Sequence, residues 1–122
     1  MEKVITINAW WDGPLIGLAY YNDRICIYDR VFDEDLDDYI DEYNLLPITE
    51  TEKDMIMAVW KKWCDAVNNN DLDGYYKEYG GDDFIFKVLM NSDNKTISRK
   101  KARFEGTLGS GYIPVDYNVE WF

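Results

Sequence analysis

The sequence predicts an α+β fold: a twisted antiparallel sheet of about five or six strands with one main amphipathic helix packed on one face. Two stretches, Val4 to Ala9 and Ile113 to Trp121, alternate apolar and polar residues as half-buried strands do. Residues 51–68 instead repeat apolar side chains at helical spacing. Because the chain has 122 residues and no linker-like segment, we expect a single domain over residues 1–122.

The first predicted strand runs from Val4 to Ala9 and would place Ile5, Ile7 and Ala9 on its buried face. Trp10 and Trp11 follow, and adjacent residues of a strand point to opposite sides. We therefore expect one indole in the core and the other at the surface or edge of the sheet. The turn residues Asp12-Gly13-Pro14 then break the strand.

A hairpin is predicted next, from two apolar runs at residues 15–21 and 24–31. The runs flank Asn22-Asp23, a pair that tolerates the positive φ values of a two-residue hairpin loop. Residues 25–28 are apolar on both faces, so the second run is expected to lie centrally in the sheet.

The most acidic part of the chain runs from Phe32 to Tyr43. Its apolar residues recur at three- and four-residue intervals, which predicts a helix whose opposite face is almost entirely carboxylate and whose first turn is capped by Asp33. Like-charged pairs four residues apart would cost this helix about 0.2–0.5 kcal/mol each. In the alternative interpretation the helix ends near Tyr39 and residues 41–48 form a strand that stops at Pro47. The pattern leaves both open.

The clearest helix follows Pro47. Thr49-Glu50-Thr51-Glu52-Lys53-Asp54 contains two overlapping capping boxes, and an apolar stripe follows at helical spacing up to Asn68-Asn69-Asn70. We expect Trp60 and Trp63, which belong to this stripe, to pack on the sheet.

Predictions for the rest of the chain are less specific. Residues 71–83 are polar and contain Gly, which indicates a loop, and residues 84–90 indicate a strand with a short helix as the alternative. Residues 92–95 and 106–111 are predicted turns. Between them, residues 95–104 contain Arg99, Lys100, Lys101 and Arg103 and no acidic residue.

Composition limits the classes of function. The formal net charge of −11 disfavours direct binding to nucleic acid or to an anionic membrane, since both require cations to neutralise phosphates. The many aromatic residues argue against a disordered acidic tail. Cys26 and Cys64 are interpreted as small buried hydrophobes of a reduced protein. With no targeting segment and no long apolar run, a cytoplasmic location is expected.

No catalytic motif or cofactor site is predicted. The chain has no histidine, which excludes Ser-His-Asp and Cys-His sites and His-based zinc sites, and two cysteines are too few for a four-thiolate site. The glycine-rich residues 106–111 lack the Gly-Lys-Ser/Thr ending of a phosphate loop. We therefore predict that the protein is not an enzyme.

Calcium loops are matched twice but incompletely. Asp33, Asp35 and Asp37 occupy the first, third and fifth positions of an EF-hand-like loop, yet its sixth residue is Asp38 and its twelfth is Asn44. A second partial match, which begins at Asn69 and includes Asp71, Asp73 and Gly74, has Gly80 at its twelfth position. Both are interpreted as turns with solvated acids, so no metal site is predicted.

Four features occur together along the chain: Trp11-Asp12-Gly13-Pro14, an acidic segment that leads to Leu45-Leu46-Pro47-Ile48, a helix with Trp60 and Trp63, and a closing Val119-Glu120-Trp121. In these features the chain resembles small bacterial single-domain proteins that carry a Trp-Asp-Gly-Pro motif. The resemblance implies a bacterial or phage-related origin and carries no activity with it.

The leading functional hypothesis is a non-enzymatic binding protein that neutralises a basic partner protein, such as a toxin or nuclease, as immunity proteins and small inhibitors do. Proteins that act on nucleic acid have basic clefts, and an acidic, aromatic-rich surface complements them. The expected contact residues are Asp33, Glu34, Asp35, Asp37, Asp38, Asp41 and Glu42, with Trp11 or Tyr39 as anchors.

Two alternatives remain. A phage-encoded nucleic-acid mimic, acting as an anti-CRISPR or anti-restriction inhibitor, would use the same carboxylates at phosphate-like spacing. The basic residues 95–103 argue against it unless they lie on the opposite side of the molecule. A carbohydrate-directed enzyme or binding module is the second alternative, since it would combine aromatic and acidic residues.

Overall fold

The fold is α+β, as predicted, with a curled antiparallel sheet and three helices in a computed structural model that describes residues 1–79, 84–91 and 98–122. The seven strands within these ranges exceed the predicted five or six. They are β1 (Glu2–Lys3), β2 (Ala9–Trp10), β3 (Pro14–Tyr21), β4 (Arg24–Asp33), β5 (Asp38–Pro47), β6 (Ser98–Leu108) and β7 (Pro114–Trp121). The helices are α1 (Glu50–Asn68), α2 (Leu72–Tyr79) and α3 (Phe84–Asn91), with a 3₁₀ turn at Ser110–Tyr112.

The N-terminal segment connects the two ends of the sheet, whose strand order is β1-β7-β6-β5-β4-β3-β2. β1 pairs with β7, and from Val4 onward the same segment pairs with β3. The amides of Ile5 and Thr6 both donate to the Leu18 carbonyl, at 2.8 and 3.1 Å, so the strand is irregular at this point. An irregularity of one residue reverses the faces of a strand.

That reversal corrects the prediction for the first strand. Ile7 joins Val4 in one hydrophobic cluster, whereas Ile5 and Ala9 pack against the other, so the three predicted residues do not share a face. Thr6 is buried, and its hydroxyl accepts the Leu18 amide at 2.8 Å and donates to Asn8 Oδ1 at 2.6 Å. The side chain thus takes part in the pairing that the backbone alone does not complete.

Two hydrophobic clusters lie on opposite faces of the sheet. The concave face is aromatic, and Tyr28 at its centre donates its hydroxyl to the Thr6 carbonyl at 2.7 Å. The convex face of β3, β4 and β5 is covered by α1 and α3. The buried residues of this second cluster are Ile16, Leu18, Ile27, Leu46, Ile56, Ile85 and Val88.

Several predicted elements are confirmed. β3 and β4 form the expected hairpin, with Asn22 and Asp23 at φ values of 50° and 62°, and β4 lies between β3 and β5. α1 begins with a capping box in which the Thr49 hydroxyl accepts the Glu52 amide at 3.1 Å and the Glu52 carboxylate accepts the Thr49 amide at 2.9 Å. The C-terminal strand is β7.

Other predictions are wrong. The segment 32–43 contains no helix, because β4 continues to Asp33 and β5 begins at Asp38; the alternative strand to Pro47 is present but starts earlier than residue 41. Residues 72–79 of the predicted loop form α2, and residues 84–90 form the alternative helix α3 instead of a strand. For the two indoles of α1 the outcome is not of this kind: Trp60 is buried, and the ring contacts of Trp63 are with Tyr75 and Tyr76 on α2. The turn predicted at 106–111 is displaced, since β6 continues to Leu108.

The predicted turn at 92–95 lies outside the described residues, as do residues 80–83. In the described part of the chain, no helix is long and apolar enough to cross a lipid bilayer.

Candidate functional site

The acidic residues form the tip of a β-hairpin, here called the acidic hairpin and defined as residues 32–42. One Asp33 carboxylate oxygen accepts the amides of Asp35 at 2.9 Å and Leu36 at 3.2 Å, the turn-stabilising bond that short acidic side chains make. Asp37 adopts a φ of 51°, which Asp and Asn tolerate better than most residues. Local hydrogen bonding by these acidic residues therefore favours a turn over a helix.

Like charges face each other at the tip of the acidic hairpin. Asp33 lies directly opposite Asp38 across the two strands, an arrangement of like charges that destabilises a hairpin. Among the described residues, no Lys or Arg forms an ion pair with the five acidic residues at the tip, and these are Asp33, Glu34, Asp35, Asp37 and Asp38. Within the part of the chain that the structure describes, the tip thus presents uncompensated negative charge.

The base of the acidic hairpin is irregular. Arg30 is paired with Tyr43 and Phe32 with Tyr39, so three residues, 40–42, lie opposite the single residue 31. Such a bulge bends the strand and leaves backbone groups without a partner in the ladder. Arg30 Nε donates to the Ile40 carbonyl at 2.8 Å and so supplies a hydrogen bond within the bulge.

Arg30 also joins the acidic hairpin to the N-terminal turn. Its Nη1 donates to the carbonyls of Trp11 at 3.0 Å and Asp12 at 3.3 Å, and its Nη2 binds Asp41 Oδ1 at 3.0 Å. The Arg30 side chain is only 9% exposed, whereas that of Asp41 is 85% exposed. One Arg side chain, mostly covered by its neighbours, therefore holds both segments in a fixed relation, through the planar fork of donors that Arg provides.

An exposed aromatic side chain belongs to the turn that Arg30 holds. Trp11 is 63% exposed, while Trp10 is partly buried and stacks on Tyr112 with ring centroids 4.5 Å apart. This confirms that one of the two adjacent indoles points inward and the other outward. An exposed Trp held by a rigid backbone is a typical hot-spot residue of protein interfaces.

The apolar residues of the acidic hairpin are at the surface, although their spacing predicted a buried stripe. Leu36 is 67% exposed, and Phe32 is exposed and contacts Tyr39 edge to face with centroids 5.1 Å apart. The predicted stripe comprised Phe32, Leu36, Tyr39, Ile40 and Tyr43, and of these only Tyr43 is fully buried in the core. The tip therefore combines apolar and aromatic contact area with a rim of carboxylates, the composition of a binding surface.

Not all of the predicted contact residues belong equally to this surface. Arg30 bonds both to the Trp11 carbonyl and to the base of the acidic hairpin at Ile40 and Asp41. Tyr39 contributes its ring beside Phe32. Asp41 and Glu42 are already paired, Asp41 with Arg30 and Glu42 with Arg99 at 3.4 Å. Arg30, Phe32 and Leu36 were missed as site residues by sequence reasoning. For Arg30, the available signal in the sequence was a single Arg just before an acidic run.

The described part of the basic segment, residues 98–104, lies on β6 next to the acidic hairpin and not on the opposite side of the molecule. β6 pairs with β5, with Lys101 opposite Glu42 and Arg99 opposite Asn44. Arg99 and Arg103 point outward and each contacts one carboxylate, Glu42 and Glu120 respectively. A continuous phosphate-like strip across this part of the sheet would therefore be interrupted by cations.

The partial calcium loop at residues 33–44 is folded as this hairpin. Asp33 uses one carboxylate oxygen for backbone amides, and the described residues contain no cluster of three or more Cys, Asp or Glu side chains arranged to hold a metal ion. Asp71, from the second partial match, accepts the Gly74 amide at 3.2 Å where α2 begins.

Groups with altered pKa lie mainly in the core. Burial raises the pKa of Tyr28 and of Tyr43, and each hydroxyl donates to a backbone carbonyl, of Thr6 and Pro14 respectively. Burial also raises the pKa of the Asp29 carboxyl on β4. The tyrosines act as hydrogen-bonded parts of the hydrophobic core, a role that requires them to remain protonated.

Comparison of the chain with models of known protein families, with curated proteins and with solved structures finds no match.

Proposed function

We propose that this protein is a non-enzymatic binding protein that neutralises a basic partner protein, such as a toxin or nuclease, by occupying it with the acidic hairpin and Trp11. The observation that carries the proposal is the set of hydrogen bonds by which Arg30 joins the N-terminal turn to the acidic hairpin. Arg30 fixes the turn that carries the exposed Trp11 to the base of a hairpin whose tip carboxylates have no internal counter-ions in the described structure.

Physical chemistry explains why such a surface suits a basic partner. Uncompensated carboxylates accelerate encounter with a cationic surface and become favourable when the partner supplies Arg or Lys. Trp11, Phe32 and Leu36 would provide apolar area that is desolvated on contact. Since Arg30 organises this surface in the free protein, less conformational entropy is lost on binding.

Affinity capture with matched charge variants tests the proposal. The tip variant combines Glu34→Gln, Asp35→Asn and Asp37→Asn, and the control variant combines Asp65→Asn, Glu78→Gln and Asp116→Asn. Each removes three negative charges and changes the formal net charge from −11 to −8. We expect a basic protein to be captured from the bacterial host by the native and control forms and lost with the tip variant.

The captured protein is then purified and its activity is measured with and without the native chain. Inhibition by the native form, and its loss in the tip variant and in Trp11→Ala, would support neutralisation. Equal capture by all three charge forms, or a captured protein whose activity is unaffected, would overturn the proposal.

Ionic strength provides a second measurement on the same pair. The association rate should fall as salt rises from low to physiological concentration, because the Debye length shortens to about 8 Å. The dissociation rate should change less, since apolar contacts around Trp11 control it. A salt-independent association rate would contradict the assigned role of the acidic tip.

A further inference from the structure

A cleft lies where three elements meet: the end of α1, the start of α2 and the 3₁₀ turn at Ser110–Tyr112. Its volume is about 400 Å³, which is within the range of small-molecule sites. The turn passes close to α1, since a Cβ on Gly111 would lie 3.1 Å from a methyl group of Val67. The glycine therefore lets the turn pack on α1 at the edge of the cleft.

Apolar side chains line part of the cleft, and one of them is an indole. They are Trp63, Val67 and Leu72, of which Trp63 is half-buried. The rings of Tyr75 and Tyr76 on α2 both contact Trp63 edge to face, with centroids 5.5 and 6.4 Å from it. These contacts hold the indole in place in the free protein, so little side-chain entropy is lost when a ligand packs on it.

Two carboxylates also line the cleft, and neither forms an ion pair with any described Lys or Arg. Asp71 is fixed by two hydrogen bonds: its amide donates to the Ala66 carbonyl at 2.9 Å, and its Oδ1 accepts the Gly74 amide at 3.2 Å. Asp73 lies in the first turn of α2 and is exposed. The hydroxyl of Ser110 adds a further acceptor. The cleft therefore offers anionic and neutral acceptors, and no described cationic residue lines it.

We propose that this cleft binds a primary alkylammonium group, from a small amine or from a lysine side chain. The ammonium donates to Asp71 and Asp73, and the methylene chain packs on Val67 and Leu72. The ring of Trp63 adds a cation–π contact. A purely apolar ligand would instead desolvate the carboxylates without supplying a counter-ion, and an anion would be repelled by them. The inference goes beyond the proposed function, because the cleft shares no residue with the acidic hairpin.

NMR titration of the isotope-labelled chain with n-butylammonium chloride tests the assignment. Ionic strength is held constant with sodium chloride, and n-butanol, which has the same carbon chain without the charge, is the control ligand. We expect saturable shifts of the Trp63 indole N–H and of the Gly111 and Asp73 amides with the amine, and much smaller shifts with the alcohol. Asp73→Asn should weaken binding of the amine about fivefold. Asp116→Asn removes the same charge at an exposed position outside the cleft and should weaken it less than about twofold.

A second ligand identifies the source of the ammonium group. Nα-acetyl-lysine methylamide carries the same butylammonium chain on a blocked residue. Binding as tight as that of n-butylammonium would assign the cleft to lysine side chains of a protein. Binding of n-butylammonium alone would assign it to small amines.

Three results would overturn the proposal. They are equal shifts with n-butanol, an affinity that is unchanged in Asp73→Asn, and shifts that do not saturate and extend to the acidic hairpin. The last result would show only the general attraction of cations to a chain with a net charge of −11. None of the three would alter the capture of a partner through the acidic hairpin, so the two proposals can fail separately.

Discussion

Replacing Arg30 by methionine tests whether this one side chain organises the candidate surface. Methionine retains much of the apolar stem but none of the four hydrogen bonds to Ile40, Trp11, Asp12 and Asp41. A hydrogen bond from a charged donor contributes about 1.5–3 kcal/mol when it is buried. Only the bond to the Ile40 carbonyl is partly buried; the other three lie at the surface, where water replaces most of their energy.

The expected loss of unfolding free energy is therefore about 3 kcal/mol. About half of it comes from the Ile40 bond and the remainder from the exposed bonds, with the Asp41 ion pair discounted to below about 1 kcal/mol. For a chain of this length, about 3 kcal/mol corresponds to a fall in Tm of about 12 °C. Urea denaturation followed by tryptophan fluorescence measures the change directly.

Asp41→Asn is the matched control. It removes the negative charge of residue 41 but retains an oxygen that accepts a hydrogen bond from Arg30, so the loss of unfolding free energy should stay below about 1 kcal/mol. Arg30→Lys should lose nearly as much stability as Arg30→Met, because a single ammonium cannot reach acceptors on both segments. The reasoning would be refuted if Arg30→Met cost less than about 1 kcal/mol, or if Asp41→Asn cost as much as Arg30→Met.

Three further substitutions test other parts of the structure. Burial raises the pKa of Asp29, so the folded state disfavours its ionised form. Ionised Asp29 therefore lowers the free energy of unfolding at pH values above the pKa of the folded state, and this loss is absent below the pKa of the unfolded state, which is about 4. Asp29→Asn should therefore raise Tm at neutral pH and have no such effect at pH 3, and a Tm gain that is equal at both pH values would contradict the assignment. Gly17→Ala should lower the free energy of unfolding, measured by urea denaturation, by about 3 kcal/mol, because a Cβ there would collide with the Thr6 carbonyl and the Tyr28 ring. A variant as stable as the native protein would show that the strands can separate to make room. Thr49→Ala should lower the free energy of unfolding by about 1 kcal/mol through loss of the helix cap, and Thr51→Ala, which removes no cap, should leave it unchanged. Equal losses in the two variants would argue against the cap.

Elements specified by local chemistry could be predicted from the sequence. The capping box of α1 and the Asn22-Asp23 turn each depend on side chains that bond to, or permit, a particular backbone geometry within a few residues. The acidic segment could not be assigned from its spacing. Phe32, Leu36, Tyr39 and Tyr43 repeat like one face of a helix, yet two strands, a turn and a bulge produce the same intervals. The like-charge pairs, which weaken a helix, were the signal favouring the alternative.

Long-range partners were beyond sequence reasoning for a related reason. Nothing local indicates that Arg30 bonds to Trp11 and Asp12, because these contacts cross from β4 to the N-terminal turn. The run at residues 84–90 was too short to distinguish helix from strand by its apolar content. In the fold it is helical, with Ile85 and Val88 buried three residues apart on the face toward the sheet.

The N-terminal segment that joins both ends of the sheet also constrains the order of folding. Glu2 pairs with Val119, so this contact cannot form until residue 119 has left the ribosome. Closing so long a loop first would cost about 4 kcal/mol of chain entropy. The β3–β4 and β6–β7 hairpins close much shorter loops, and their prior formation would shorten the remaining path. Until the segment seals the sheet, the aromatic concave face stays open to solvent, and this interval is when the protein is most prone to self-association.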